Sequence, residues 1–89
     1  MRLKKIYRKI DELYHKARRV IWSCNTFEQL KSAKNYQKCF YNYCRSFEIY
    51  GTIRNYWIKV YVINKNIDLR TYLDVKETEL IEKYDSKTN

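Results

Sequence analysis

The chain has 89 residues, 45% of them hydrophobic and 33% charged, which is enough for one small domain and too little for two. A single glycine and no proline exclude an architecture of many tight turns, and the formal charge of +9 favours nucleic acid or an acidic host protein complex as partner. The 15 aromatic residues, ten of them tyrosine, suit a thin core or an interface, because a tyrosine ring can be buried while its hydroxyl stays wet.

The first element is predicted from Leu3, Ile6, Tyr7, Ile10, Leu13, Tyr14, Ala17, Val20 and Ile21, whose three-and-four spacing draws one face of a helix. Arg2, Lys5, Arg8, Lys9, Lys16 and Arg19 fall on the other side, interrupted by Glu12. Residues 1–22 carry eight basic and two acidic side chains, whereas residues 74–89 carry three and five, so the positive charge gathers at the amino-terminal end. This start is broken by charge too often for a signal peptide, and no apolar run reaches membrane-spanning length, so a cytoplasmic protein is expected.

Ser23, Cys24 and Asn25 are poor helix formers, and Thr26 followed by Gln29 has the form of a capping box. A second helix is expected from about Phe27 to Tyr50, with Phe27, Leu30, Ala33, Tyr36, Phe40, Tyr43, Cys44 and Phe47 at helical spacing and Gly51 as its C-terminal cap. So short a connection makes the first two helices an antiparallel hairpin.

The run "IRNYWIKVYVIN" is apolar nearly all round, which suits a buried helix or a strand, and "IDLRTYLDV" alternates as a strand would. A third helix is preferred, with Ile53, Trp57, Val60, Tyr61 and Ile67 facing the hairpin, and a β-hairpin over residues 53–73 is the competitor. Asp74 and Glu77 form a second capping pattern before a short final helix, and residues 85–89 are expected to fray. The expected fold is therefore all-α, one domain over residues 1–84, with an α+β arrangement as the alternative.

The string Ser23-Cys24-x-Thr26-x-Glu28-Gln29-Leu30-x-x-Ala33, followed by Tyr36 and Phe40, resembles a pattern in short uncharacterised bacteriophage proteins. The resemblance covers about twenty residues, and the lysine, asparagine and tyrosine enrichment is similar to that of AT-rich phage genomes. It implies a small accessory protein acting in the host cytoplasm on host machinery or defence, and it carries no site residues with it.

Catalytic and metal chemistry find no pattern here. Asp11 and Glu12 are helix neighbours that point apart, and Cys24, Cys39 and Cys44 lack metal-ligand spacing and read as reduced packing residues. His15 reads as a surface residue, and a Cys24 nucleophile beside it would lack an orienting group. No glycine-rich phosphate loop is present, so no cofactor is expected and the protein is read as a non-enzyme.

The leading expectation is binding of nucleic acid, or of a host complex that handles it, through Arg2, Lys5, Arg8, Lys9, Lys16 and Arg19. Tyr41, Tyr50, Tyr56, Trp57 and Tyr72, near Lys38, Arg45, Arg54 and Arg70, form a possible aromatic interface. That surface supports the alternative of an inhibitor docking on a host or defence protein, and a homo-oligomer with a merely solvating basic face is a third reading.

Overall fold

The computed structural model describes the backbone of residues 2–45 and 53–88, and the side chains of residues 4–45 and 56–85. Three helices account for it: α1 (Arg2–Trp22), α2 (Phe27–Arg45) and α3 (Ile53–Thr88). Each packs on the other two. At a rise of about 1.5 Å per residue, the 36 residues of α3 make a rod of roughly 54 Å, which matches the 56 Å long axis of the 56 × 16 × 15 Å molecule. The fold is all-α, and no strand occurs among the described residues.

The α1–α2 corner forms as its residue types require. The Ser23 amide donates to the Arg19 carbonyl at 3.0 Å, and the Ser23 hydroxyl and Cys24 thiol both donate to the Val20 carbonyl, closing α1. Thr26 Oγ1 then accepts the Gln29 amide at 3.1 Å, while Gln29 Oε1 reaches back to the Asn25 amide at 2.7 Å. This is the expected capping box, with its return bond moved one residue outward. Thr26→Ala is expected to cost about 1 kcal/mol of stability in a urea melt.

Ile10, Tyr14, Ala17 and Ile21 of α1, Leu30, Ala33, Phe40 and Cys44 of α2, and Ile58, Val62, Leu69, Leu73 and Leu80 of α3 form the core, with Cys24 closing its end. On α3, Val62, Asn66, Leu69, Leu73, Lys76 and Leu80 follow one another at intervals of four and three, a seam against the hairpin. Its two polar members each find a partner. Asn66 accepts a hydrogen bond from the buried Gln37 amide, and Lys76 sits over the Trp22 ring at 5.6 Å and 3.6 Å from Glu79. A slide of α3 by one turn would leave Gln37 buried without a partner, so this pair pins the register.

The third helix forms as preferred, but several finer expectations are overturned. The β-hairpin over residues 53–73 is absent, because α3 runs unbroken through Asn64, Lys65 and Asn66. No separate final helix starts at Asp74. With no glycine or proline to stop it, α3 continues, the Asp74 carbonyl accepts the Thr78 hydroxyl, and Glu77 is held by Lys34 at 3.0 Å. The backbone of the helix extends through Thr88. Trp57 and Ile67, assigned to the core, are 63% and 53% exposed, and the inward face is that of Ile58, Val62 and Leu69 instead. Cys24 and Cys44 are buried as expected, whereas Cys39 is exposed. The expected continuation of α2 to Tyr50, Phe47 and the Gly51 cap lie outside the described residues.

Two tyrosines tie α3 to α1. Tyr14 is pushed up to about 12, first by burial and then by the neighbouring Tyr72. Tyr61 is also raised to about 12, by burial and by its hydroxyl's hydrogen bond to Asp11. The Lys65 ammonium stands over both rings, 4.5 Å from Tyr14 and 5.2 Å from Tyr61. A raised folded-state value means that stability is fully present below the unfolded tyrosine value near 10 and is lost as pH rises through about 12. Alkaline titration followed by circular dichroism should therefore give unfolding between about pH 10 and 12, and Tyr61→Phe should make that loss shallower.

Candidate nucleic-acid interface

Because α1 turns Ile10, Tyr14, Ala17 and Ile21 inward, its helical repeat turns Lys5, Arg8, Lys9, Lys16 and Arg19 outward, and all five are exposed. The side chain of Arg2, the sixth predicted cation, lies outside the described residues. Exposed Lys4 joins the same face. Among the described residues none of these cations is paired with a carboxylate; the ion pairs present are Lys34–Glu77 and Lys76–Glu79. From Lys5 to Arg19 the run covers about 21 Å of helix, roughly six steps of a nucleic-acid strand. Glu12 interrupts it, while Asp11 is turned aside and occupied by Tyr61.

At the carboxyl end of α1 the face becomes concave. His15, Arg18, Arg19, Trp22 and Ser23 line a shallow depression of about 640 Å³. Trp22 is still 39% exposed there, with the Tyr72 ring 5.4 Å away and Lys76 beside it. The Arg18 guanidinium lies over the Tyr72 ring at 5.2 Å. An indole at the mouth of a cationic hollow can stack on an aromatic base while its neighbours hold phosphate. Sequence reasoning missed Arg18 and Trp22 and read His15 as plain surface. The spacing of α1 puts His15, Arg18, Arg19 and Trp22 within two turns, which was the available signal, but the partners Tyr72 and Lys76 come from α3.

The predicted aromatic interface does not assemble into one platform. Tyr41 is half-buried under the Arg45 guanidinium, 5.7 Å from its ring, and Tyr50 lies outside the described residues. Tyr56 and Trp57 are exposed on α3, their rings 5.3 Å apart and at 81°. Tyr72 is half-buried between Trp22 and Arg18, about 22 Å farther along the same helix. Lys38 and Arg70 line the same smaller hollow of about 170 Å³, which Lys34, Gln37, Leu73 and Asp74 complete.

Cys24 is buried, its thiol donates to the Val20 carbonyl at 3.3 Å, and burial raises its pKa against the opposing pull of Lys76. Among the described residues no cluster of three or more His, Cys, Asp or Glu could hold a metal ion, and no helix is long and apolar enough to cross a membrane.

No protein-family model matches this chain, and neither does any curated protein or solved structure.

Proposed function

We propose that the protein is a non-enzymatic binder of nucleic acid that contacts the phosphate backbone through the outer face of α1. The observation that carries this is the row of exposed cations Lys5, Arg8, Lys9, Lys16 and Arg19, without carboxylate partners among the described residues, leading into the hollow of Arg18, His15 and Trp22. Phosphate contacts fix position and carry no sequence information, so binding is tolerant of sequence, with Trp22 favouring strands that offer an unstacked base. The resemblance of the Ser23–Ala33 stretch to short bacteriophage proteins supports an accessory role in a host cytoplasm, on nucleic acid or on a complex that carries it.

Fluorescence anisotropy of labelled duplex DNA, single-stranded DNA and RNA across a salt series tests the reading. Five phosphate contacts give a slope of log affinity on log salt of about −4.5, so affinity falls several hundredfold between about 50 and 200 mM salt. No binding at low salt, or a flat response, rejects it. A flat response with a protein partner would favour docking by the tyrosine-bearing α1–α2 surface instead, where Leu13, Tyr36, Cys39, Phe40 and Tyr43 line an apolar hollow of about 300 Å³.

A further inference from the structure

Helix α3 carries two apolar faces, and the α1–α2 hairpin covers one. On the opposite side Tyr56, Val60, Ile63, Ile67, Thr71, Asp74, Thr78 and Ile81 follow at intervals of three and four, a second stripe along the whole helix. Tyr56, Ile67 and Ile81 are 61%, 53% and 46% exposed, and exposed Trp57 and Val75 flank them. The two threonines belong to this apolar stripe. Thr71 donates its hydroxyl to the Ile67 carbonyl at 2.9 Å and Thr78 donates to the Asp74 carbonyl at 3.0 Å, so both hydroxyls are satisfied within the helix. Asp74 is the one charged residue in the row.

We propose that this stripe is the contact between two copies of the chain, packed antiparallel along α3. From Tyr56 to Ile81 it runs about 37 Å, and exposed Tyr56 with flanking Trp57 contributes to the roughly 800 Å² per partner that a stable interface buries. The hairpin packs on the Ile58, Val62 and Leu69 face and reaches the stripe only at its edge, where Val60 and Ile63 are half-buried and Asp74 borders a hollow shared with α2, so exposed Tyr56, Ile67 and Ile81 stay open to a second helix.

Charge selects the occupant and its direction. In the first part of α3 exposed Lys59 and Arg70 stand against Asp68, while Lys65 is turned to the Tyr14 and Tyr61 rings. From Asp74 onward exposed Asp74, Glu79, Glu82 and Asp85 stand against Lys83, while Glu77 is held by Lys34 of α2 and Lys76 lies over Trp22. An antiparallel copy lays the basic half of one helix along the acidic half of the other, whereas a parallel copy stacks like on like. With the two-fold axis beside Ile67 and Thr71, Asp74 of one copy comes level with the exposed amide side chain of Asn64 of the other, and Val60 comes level with Thr78. Each copy's α1 face is left clear, so the inference is independent of the nucleic-acid reading.

Sedimentation equilibrium without nucleic acid tests it. The wild-type chain is expected to be dimeric, and Ile67→Lys, at an exposed position that spares the helix, should raise the dimer dissociation constant about a hundredfold or more, because an apolar contact is lost twice per dimer. Tyr56→Glu should act the same way, with unchanged circular dichroism in both. Direction is read in a Cys39→Ser background with a short bis-maleimide. Val60→Cys chains mixed with Thr78→Cys chains should cross-link to each other, and Thr78→Cys chains alone should not. A chain monomeric at its highest soluble concentration, a dimer indifferent to both substitutions, or self-cross-linking of Thr78→Cys would each overturn the proposal.

Discussion

Reversing Lys5 and Arg19 together, as Lys5→Glu and Arg19→Glu, is expected to lower the affinity for nucleic acid about a hundredfold at low salt and to make the salt slope shallower by about 1.8. The two residues stand near opposite ends of the exposed row, and neither is in an ion pair or in the core. Each reversal removes one phosphate contact and adds a repulsion, and the loss should be similar for every sequence offered, since backbone contacts do not read bases. Circular dichroism should show the fold unchanged, because surface substitutions of this kind shift stability by no more than about 0.5 kcal/mol. A double reversal that binds as tightly as the wild type at moderate salt would move the contact surface elsewhere. Trp22→Ala separates the stacking contribution: it should weaken binding to single strands more than to duplex.

The largest effect on stability is expected from Leu69→Ala. Leu69 is fully buried midway along α3, within the core that the three helices share. Truncation there loses the transfer free energy of the missing carbons and leaves a cavity between helices that cannot close in, a cost of about 2–5 kcal/mol. A domain of this size holds roughly 5–15 kcal/mol in total, so the thermal midpoint should drop by at least about 10 °C. Lys59→Ala, exposed on the same helix, should leave the midpoint within a few degrees. Equal effects from the two would mean that α3 does not present the face described.

The contrast between α1 and α3 explains how much was legible in the sequence. In α1 the apolar residues keep to one side and charged ones fill the rest, so its core residues Ile10, Tyr14, Ala17 and Ile21 and its outer cations could be read from spacing alone. The corner was legible too, because Thr26 and Gln29 act through local hydrogen bonds. In α3 periodicity offers two apolar stripes, and which one turns inward is decided at long range, by Gln37 meeting Asn66 and Trp22 receiving Lys76. Local reasoning took Trp57 and Ile67 for core. The Asp74–Glu77 pattern misled for a related reason: Glu77 serves Lys34 on α2 and caps nothing. At the candidate site the cations were visible from the sequence, but the hollow around Trp22 was not, because Tyr72 and Lys76 lie about fifty residues away along the chain.

The rod-like α3 also bears on how quickly the chain finds its structure. Nearly all of its backbone bonding is local, within helices of 19 to 36 residues that are each long enough to form transiently on their own. The four-residue corner Ser23–Thr26 brings α1 and α2 together at small loop-closure cost, and what remains is the docking of one preformed rod into the groove between them. Such a topology belongs with the helical bundles that fold in microseconds to milliseconds. The slow part of the search is then longitudinal. Before Gln37 meets Asn66, α3 can sit a turn too high or too low with most of its apolar surface already covered, and the polar pair acts as the detent that stops it sliding.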